Sequence, residues 1–163
     1  MKLHVQVTKA FHDLTPATLD KSGTLVQETK VVLANGMLHA CDISAQSLPF
    51  NEAELWTTAV CAEFTAEVRK SDIAGLPSAP HMRGLEDPRK QMSLQINFID
   101  YLVLPLWTHV ATLMPSLEPR VEHLHLNKIE YQKKLEGNEA GKAEKGGEKK
   151  EEGGEEGGEN KKA

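Results

Sequence analysis

The chain has 163 residues, about one ordinary domain, with 26% charged residues and a net charge of −5 at neutral pH. With 19 Lys and Arg against 24 Asp and Glu, it lacks the basic bias of a nucleic-acid-binding chain. No window approaches eighteen apolar residues, so no membrane span is expected, and no apolar run follows Lys2 as a signal peptide would require. Cys41 and Cys61 stand at no zinc-ligand spacing, and the expected setting is the cytoplasm with reduced thiols.

Leu3, Val5 and Val7 alternate with polar residues as in a strand, while Val7, Ala10, Phe11 and Leu14 also fit one helix face. Pro16, Asp20, Ser22 and Gly23 mark a loop. A helix is expected from Thr24 to about Ala40, then a loop over Cys41 to Pro49. Asn51 with Glu54 looks like a capping box opening a helix through Trp56, Val60 and Phe64 to about Lys70. Ser71 to Arg89 is rich in Gly and Pro and reads as a long irregular connection of the kind that is often functional.

The central stretch runs from Met92 to Trp107, and Gln95, Phe98, Ile99, Leu102 and Leu106 fall on one helical face. That face is apolar except for Gln95, whose amide offers both donors and an acceptor one turn before the Phe98 ring. An amide beside a flat ring could read the edge of a heterocyclic base and stack on its face. A turn at Met114 to Pro119 leads to a last helix from about Arg120 to Leu135. Gly137 to Ala163 carries eight Glu and six Lys without an aromatic, Leu or branched aliphatic residue, and so is expected to be disordered. The expected organisation is therefore an all-helical folded part, 1–136, and a solvated tail, 137–163, whose partner, if any, is not readable.

Gln95-x-x-Phe98-Ile-Asp-Tyr101, followed by Pro105-Leu-Trp107, resembles the C-terminal signature of the class I 3′,5′-cyclic nucleotide phosphodiesterase catalytic domain. Four more segments resemble that family in the same order: Met1-x-x-His4, His39-Ala-Cys-Asp42-Ile-Ser44, Trp56-Thr57 with Glu63-Phe64, and Asn127-Lys-Ile-Glu-Tyr131-Gln132. Ala79-Pro80-His81-Met82 is similar to a divergent form of the loop that covers the family's active site.

The resemblance implies the all-α C-terminal part of a multi-helix catalytic domain. It makes Gln95 the purine-contacting amide and Phe98 one jaw of a clamp on the base. Trp56, Thr57, Val60 and Met82 would line the substrate pocket, and Asp42 would be one metal ligand. Divalent metals, Zn with Mg or Mn, are expected for the complete domain, with a cyclic nucleotide, cAMP or cGMP, as substrate. Two departures stand out: Ala45 replaces an Asn that helps bind substrate, and Glu67-Val-Arg69 replaces a Gln-Gly-Asp.

No residue of the chain takes the place of the family's catalytic His or of its earlier metal-binding His and His-Asp pair. His12-Asp13 falls after the Met-x-x-His position, and His123 and His125 at i and i+2 point apart. The expectation is a phosphodiesterase fragment that carries the purine pocket and is inactive alone, with Met1 starting inside a motif. The alternatives are a non-catalytic binding module or pseudoenzyme and, last, a plain helical interaction protein.

Overall fold

The central apolar stretch is the axis on which the other helices pack. The computed structural model describes the backbone of residues 2–19 and 27–151 and the side chains of residues 4–18 and 27–137. Among these residues every regular element is helical, as the sequence predicts. The main helices are α1 (Lys2–His12), α2 (Pro16–Leu19), α3 (Gln27–Asp42), α4 (Phe50–Ile73), α5 (Pro88–Phe98), α6 (Leu104–Leu113) and α7 (Glu118–Glu151).

The central stretch is not one regular helix. A π-helical turn, Ile99–Val103, joins α5 to α6, and the Leu104 N–H reaches back five residues to the Ile99 carbonyl. Pro105 explains the widening, because its ring crowds the carbonyl four residues earlier and it has no N–H to give. The single expected face is thereby divided. Ile99, Val103, Leu106 and Val110 are fully buried, whereas Phe98 and Leu102 are half-buried and open onto a cavity. Pro88–Leu113 is long and apolar enough to cross a membrane by length and composition, but here it lies at the centre of the helical core. Around it gather Phe11 and Leu14 from the first segment, Ala40 of α3, and Leu124 and Tyr131 of α7.

The helix-face reading of the first segment prevails over the strand. Phe11 and Leu14 are buried while Val5 is 61% exposed, so the face that ends in the large ring decides the outcome. Gly36 of α3 is the seat of that ring. A Cβ there would lie 2.1 Å from Phe11 Cδ2, so only glycine allows the approach.

Several boundaries differ from expectation. α4 starts at Phe50 with Pro49 as its N-cap, because Glu52 and Ala53 already donate to the Pro49 carbonyl. Asn51 is therefore a first-turn residue and no capping box forms. The helix also runs on to Ile73. The long connection contains a 3₁₀ turn, Pro80–Met82, and ends where Asp87 caps α5 by accepting from the Arg89 N–H at 2.9 Å. The Cys41–Pro49 loop holds another 3₁₀ turn, Ser44–Ser47. α7 passes the expected end at Leu135 and continues to Glu151, through a stretch whose Glu, Lys and Ala are good helix formers. The expected helix start at Thr24 and the tail residues 152–163 lie outside the described residues.

Candidate functional site

Five elements converge on one cavity of about 420 Å³. From α4 come Trp56, Thr57, Val60 and Phe64, whose spacing puts them along one side of the helix. Leu94, Gln95 and Phe98 of α5 form the opposite wall, extended by Tyr101 and Leu102 from the π-helical turn. Ala45 and Gln46 of the Ser44–Ser47 turn close one side and His81 another. Trp56 and Tyr101 are exposed at 55% and 76%, whereas Gln46, Thr57 and Gln95 are buried at 2%, 2% and 5%. The site is thus a mostly apolar slot with aromatic lips and a polar floor.

Five of the residues singled out in the sequence meet here: Trp56, Thr57, Val60, Gln95 and Phe98. Met82 does not line the cavity. In a 3₁₀ turn successive side chains point about 120° apart, and His81 takes the inward direction, edge-on to Phe64 with ring centroids 5.9 Å apart. Asp42 does not line it either; it is exposed at the C-terminal end of α3.

The floor is a connected polar network. Thr57 Oγ1 donates to the Ala53 carbonyl at 3.0 Å, accepts from Gln46 Nε2 at 3.0 Å and lies 2.8 Å from the Tyr131 hydroxyl. Burial pushes the Tyr131 phenol up, with hydrogen bonds to Thr57 and Gln46 pulling the other way, so it stays protonated near neutrality. Burial likewise raises the Cys61 thiol, opposed by a hydrogen bond with Gln95. Both groups are therefore neutral, and the floor offers hydrogen bonds rather than charge.

α7 holds the Ser44–Ser47 turn in place. Asn127 Nδ2 donates to the Gln46 and Leu48 carbonyls at 2.8 Å each, and His123 Nδ1 lies 3.1 Å from the Ser47 carbonyl. Lys128 joins the same helix to Asp100 of the π-helical turn at 2.7 Å. The Asn127–Tyr131 and Phe98–Tyr101 motifs are thus two halves of one clamp around the pocket.

Among the described residues no group of three or more His, Cys, Asp and Glu is arranged to hold a metal ion. Asp42, the one residue expected as a metal ligand, lies on an exposed helix end, so the residues described do not fit a bridged metal pair. Histidines pair elsewhere: His4 Nδ1 lies 2.6 Å from His39 Nε2, and His12 stacks on His109 with centroids 4.4 Å apart.

Sequence reasoning missed Gln46, His81 and Tyr131 as parts of the site. Gln46 had a usable signal, since it stands beside Ala45, where the family pattern already departs. The approach of Tyr131 to Thr57 spans 74 positions in the chain and has no local signature.

A family model described as 3′5′-cyclic nucleotide phosphodiesterase matches residues 1–124. The chain is 29% identical over 92 residues to the human high affinity cGMP-specific 3′,5′-cyclic phosphodiesterase 9A, covering 56% of this chain and 15% of that protein. It is 30% identical over 106 residues to the Drosophila melanogaster dual 3′,5′-cyclic-AMP and -GMP phosphodiesterase 11, covering 64% of this chain and 7% of that protein. Among solved structures, the phosphodiesterase domain of Salpingoeca rosetta rhodopsin phosphodiesterase superposes with a TM-score of 0.76 at 21% identity, covering 88% of this chain and 44% of that one. The chain therefore spans less than half the length of each of these relatives. With most of its length matched by the family model, the chain belongs to the 3′,5′-cyclic nucleotide phosphodiesterase family.

Proposed function

We propose that residues 1–136 are the base-recognising part of a cyclic nucleotide phosphodiesterase domain, which hydrolyses cAMP or cGMP to the 5′-monophosphate when complete. Residues 137–163 are on this reading a solvated tail outside the core, and the setting is cytoplasmic. The observation that carries the reading is the convergence of Trp56, Thr57, Val60, Gln95 and Phe98 on one cavity. Its volume, about 420 Å³, falls in the ordinary range for small-molecule sites.

The chemistry follows from the walls. Phe98 offers its ring to one face of a purine, with the aliphatic Val60 across the slot. Gln95 offers donor and acceptor to the polar edge, and its amide can turn to suit either purine. Asp42 is the one residue of the chain proposed as a metal ligand, toward the Zn and Mg or Mn of the complete domain. The reading for this chain is therefore recognition without turnover, and its pseudoenzyme alternative shares that behaviour.

The test is calorimetric titration of the 163-residue chain with cAMP and with cGMP, beside an assay for 5′-monophosphate in added Zn and Mg. Binding without hydrolysis is expected. Phe98→Ala should weaken binding about tenfold through the lost stacking. Failure of both nucleotides to bind would refute the pocket reading, and hydrolysis by this chain would refute recognition without turnover.

A further inference from the structure

We propose that Gln46 is a second ligand-reading amide, a fixed hydrogen-bond acceptor that selects heterocycles bearing an N–H donor. The inference rests on the purine-pocket reading above and deepens it. Gln46 is 2% exposed and lines the cavity, and its Oε1 has no hydrogen-bond partner. Buried polar atoms are nearly always paired, so an orphan acceptor on a residue that lines a cavity marks where a donor belongs.

Proton counting fixes which way round the amide sits. A threonine hydroxyl has one proton, and that of Thr57 goes to the Ala53 carbonyl. Thr57 Oγ1 can then only accept from its other neighbours, the Tyr131 hydroxyl and Gln46 Nε2. Turning the amide over would set Oε1 against an oxygen whose proton is already committed. Asn127 pins the backbone carbonyl of the same residue at 2.8 Å, so Gln46 is held at both ends.

Gln95 is placed differently. Its neighbour Cys61 is a thiol, a weak and rotatable partner that accommodates either amide orientation. Gln95 therefore adapts, while Gln46 discriminates. A base with an amino group or a ring N–H satisfies Oε1, and one without leaves it unpaired in an apolar slot, which is costly.

The experiment titrates the full chain with cAMP, cGMP and the 3′,5′-cyclic monophosphate of unsubstituted purine riboside, whose base has no N–H on that edge. The unsubstituted nucleotide should bind about tenfold more weakly than the better natural one. Gln46→Met, similar in length but without the acceptor, should erase the gap by weakening the natural nucleotides alone. Gln46→Glu, which keeps an acceptor oxygen there, should preserve it, and melting temperatures report whether each variant folds. A gap that survives in folded Gln46→Met, or a parallel loss for every ligand, would overturn the inference while leaving the pocket reading intact. If Gln46→Met does not fold, loss of the gap in Gln46→Glu overturns it instead. If the unmodified chain binds none of the three, the pocket reading falls and this inference with it.

Discussion

Tyr131 is fully buried, and its hydroxyl is one of three groups sharing a small set of protons on the pocket floor. Tyr131→Phe removes that oxygen and leaves Thr57 short of a partner. The expected cost is about 1–2 kcal/mol in urea unfolding, the range for a buried hydrogen bond whose partner stays behind. A change too small to resolve would mean that the network adds nothing to the fold. At Gly36 the conflict is steric. Alanine would gain about 1 kcal/mol in helix propensity, yet its Cβ would sit 2.1 Å from a buried ring atom of Phe11. Overpacking of that kind costs roughly 1–3 kcal/mol, so Gly36→Ala should destabilise the chain despite the better propensity. Adding Phe11→Leu should recover part of the loss, a coupling that a double-mutant cycle measures. Additive losses would mean that the ring and the glycine do not meet.

Among the elements, α7 acts as a clamp on the turn that presents Gln46. Asn127 satisfies two backbone carbonyls of that segment at once, both at 2.8 Å. Asn127→Ala should therefore cost roughly 2–3 kcal/mol for two lost hydrogen bonds at a buried site, and nucleotide binding should fall with it as the turn loosens. Stability lost with binding unchanged would show that the turn does not set the pocket. The sequence made the longer helices legible through apolar residues at helical spacing, Leu106 among them, whereas the segment of Phe11 also read as a strand and α2 read as a loop. Boundaries were less legible where a proline acts at a distance. Pro49 caps α4 two residues before the Asn51 cap signal, and Pro105 widens the preceding turn and splits a face that looked continuous. The pocket was readable where a resemblance fixed a residue, as at Gln95 and Phe98. It was not readable at Gln46, whose role exists only once α4 and α7 bring Thr57 and Tyr131 to it.

Over the whole molecule, α1 is joined to the rest by Phe11 and by two histidine contacts. His4 meets His39 of α3, and His12 stacks on His109 of α6, whose Nε2 also lies 2.9 Å from the Phe11 carbonyl. The His4 imidazole is held below its ordinary range by burial first, then by His39 and the N-terminal charge. His12 is lowered by burial and then by His109, with Asp13 opposing. Both are therefore favoured neutral in the folded chain, while in the unfolded chain they take up protons near the ordinary value of about 6.5. The unfolded state binds more protons in that window, so stability rises with pH there. The contribution is fully present above about pH 6.5 and is lost as pH falls through that value toward the lower folded ones. The urea midpoint should hold steady from about pH 8 to about pH 7 and fall between about pH 6.5 and about pH 5.5. The double substitution His4→Gln with His12→Gln removes both titrations while keeping side chains that can hydrogen bond, and should flatten that slope. An equal slope in the double variant would take His4 and His12 out of the acid response.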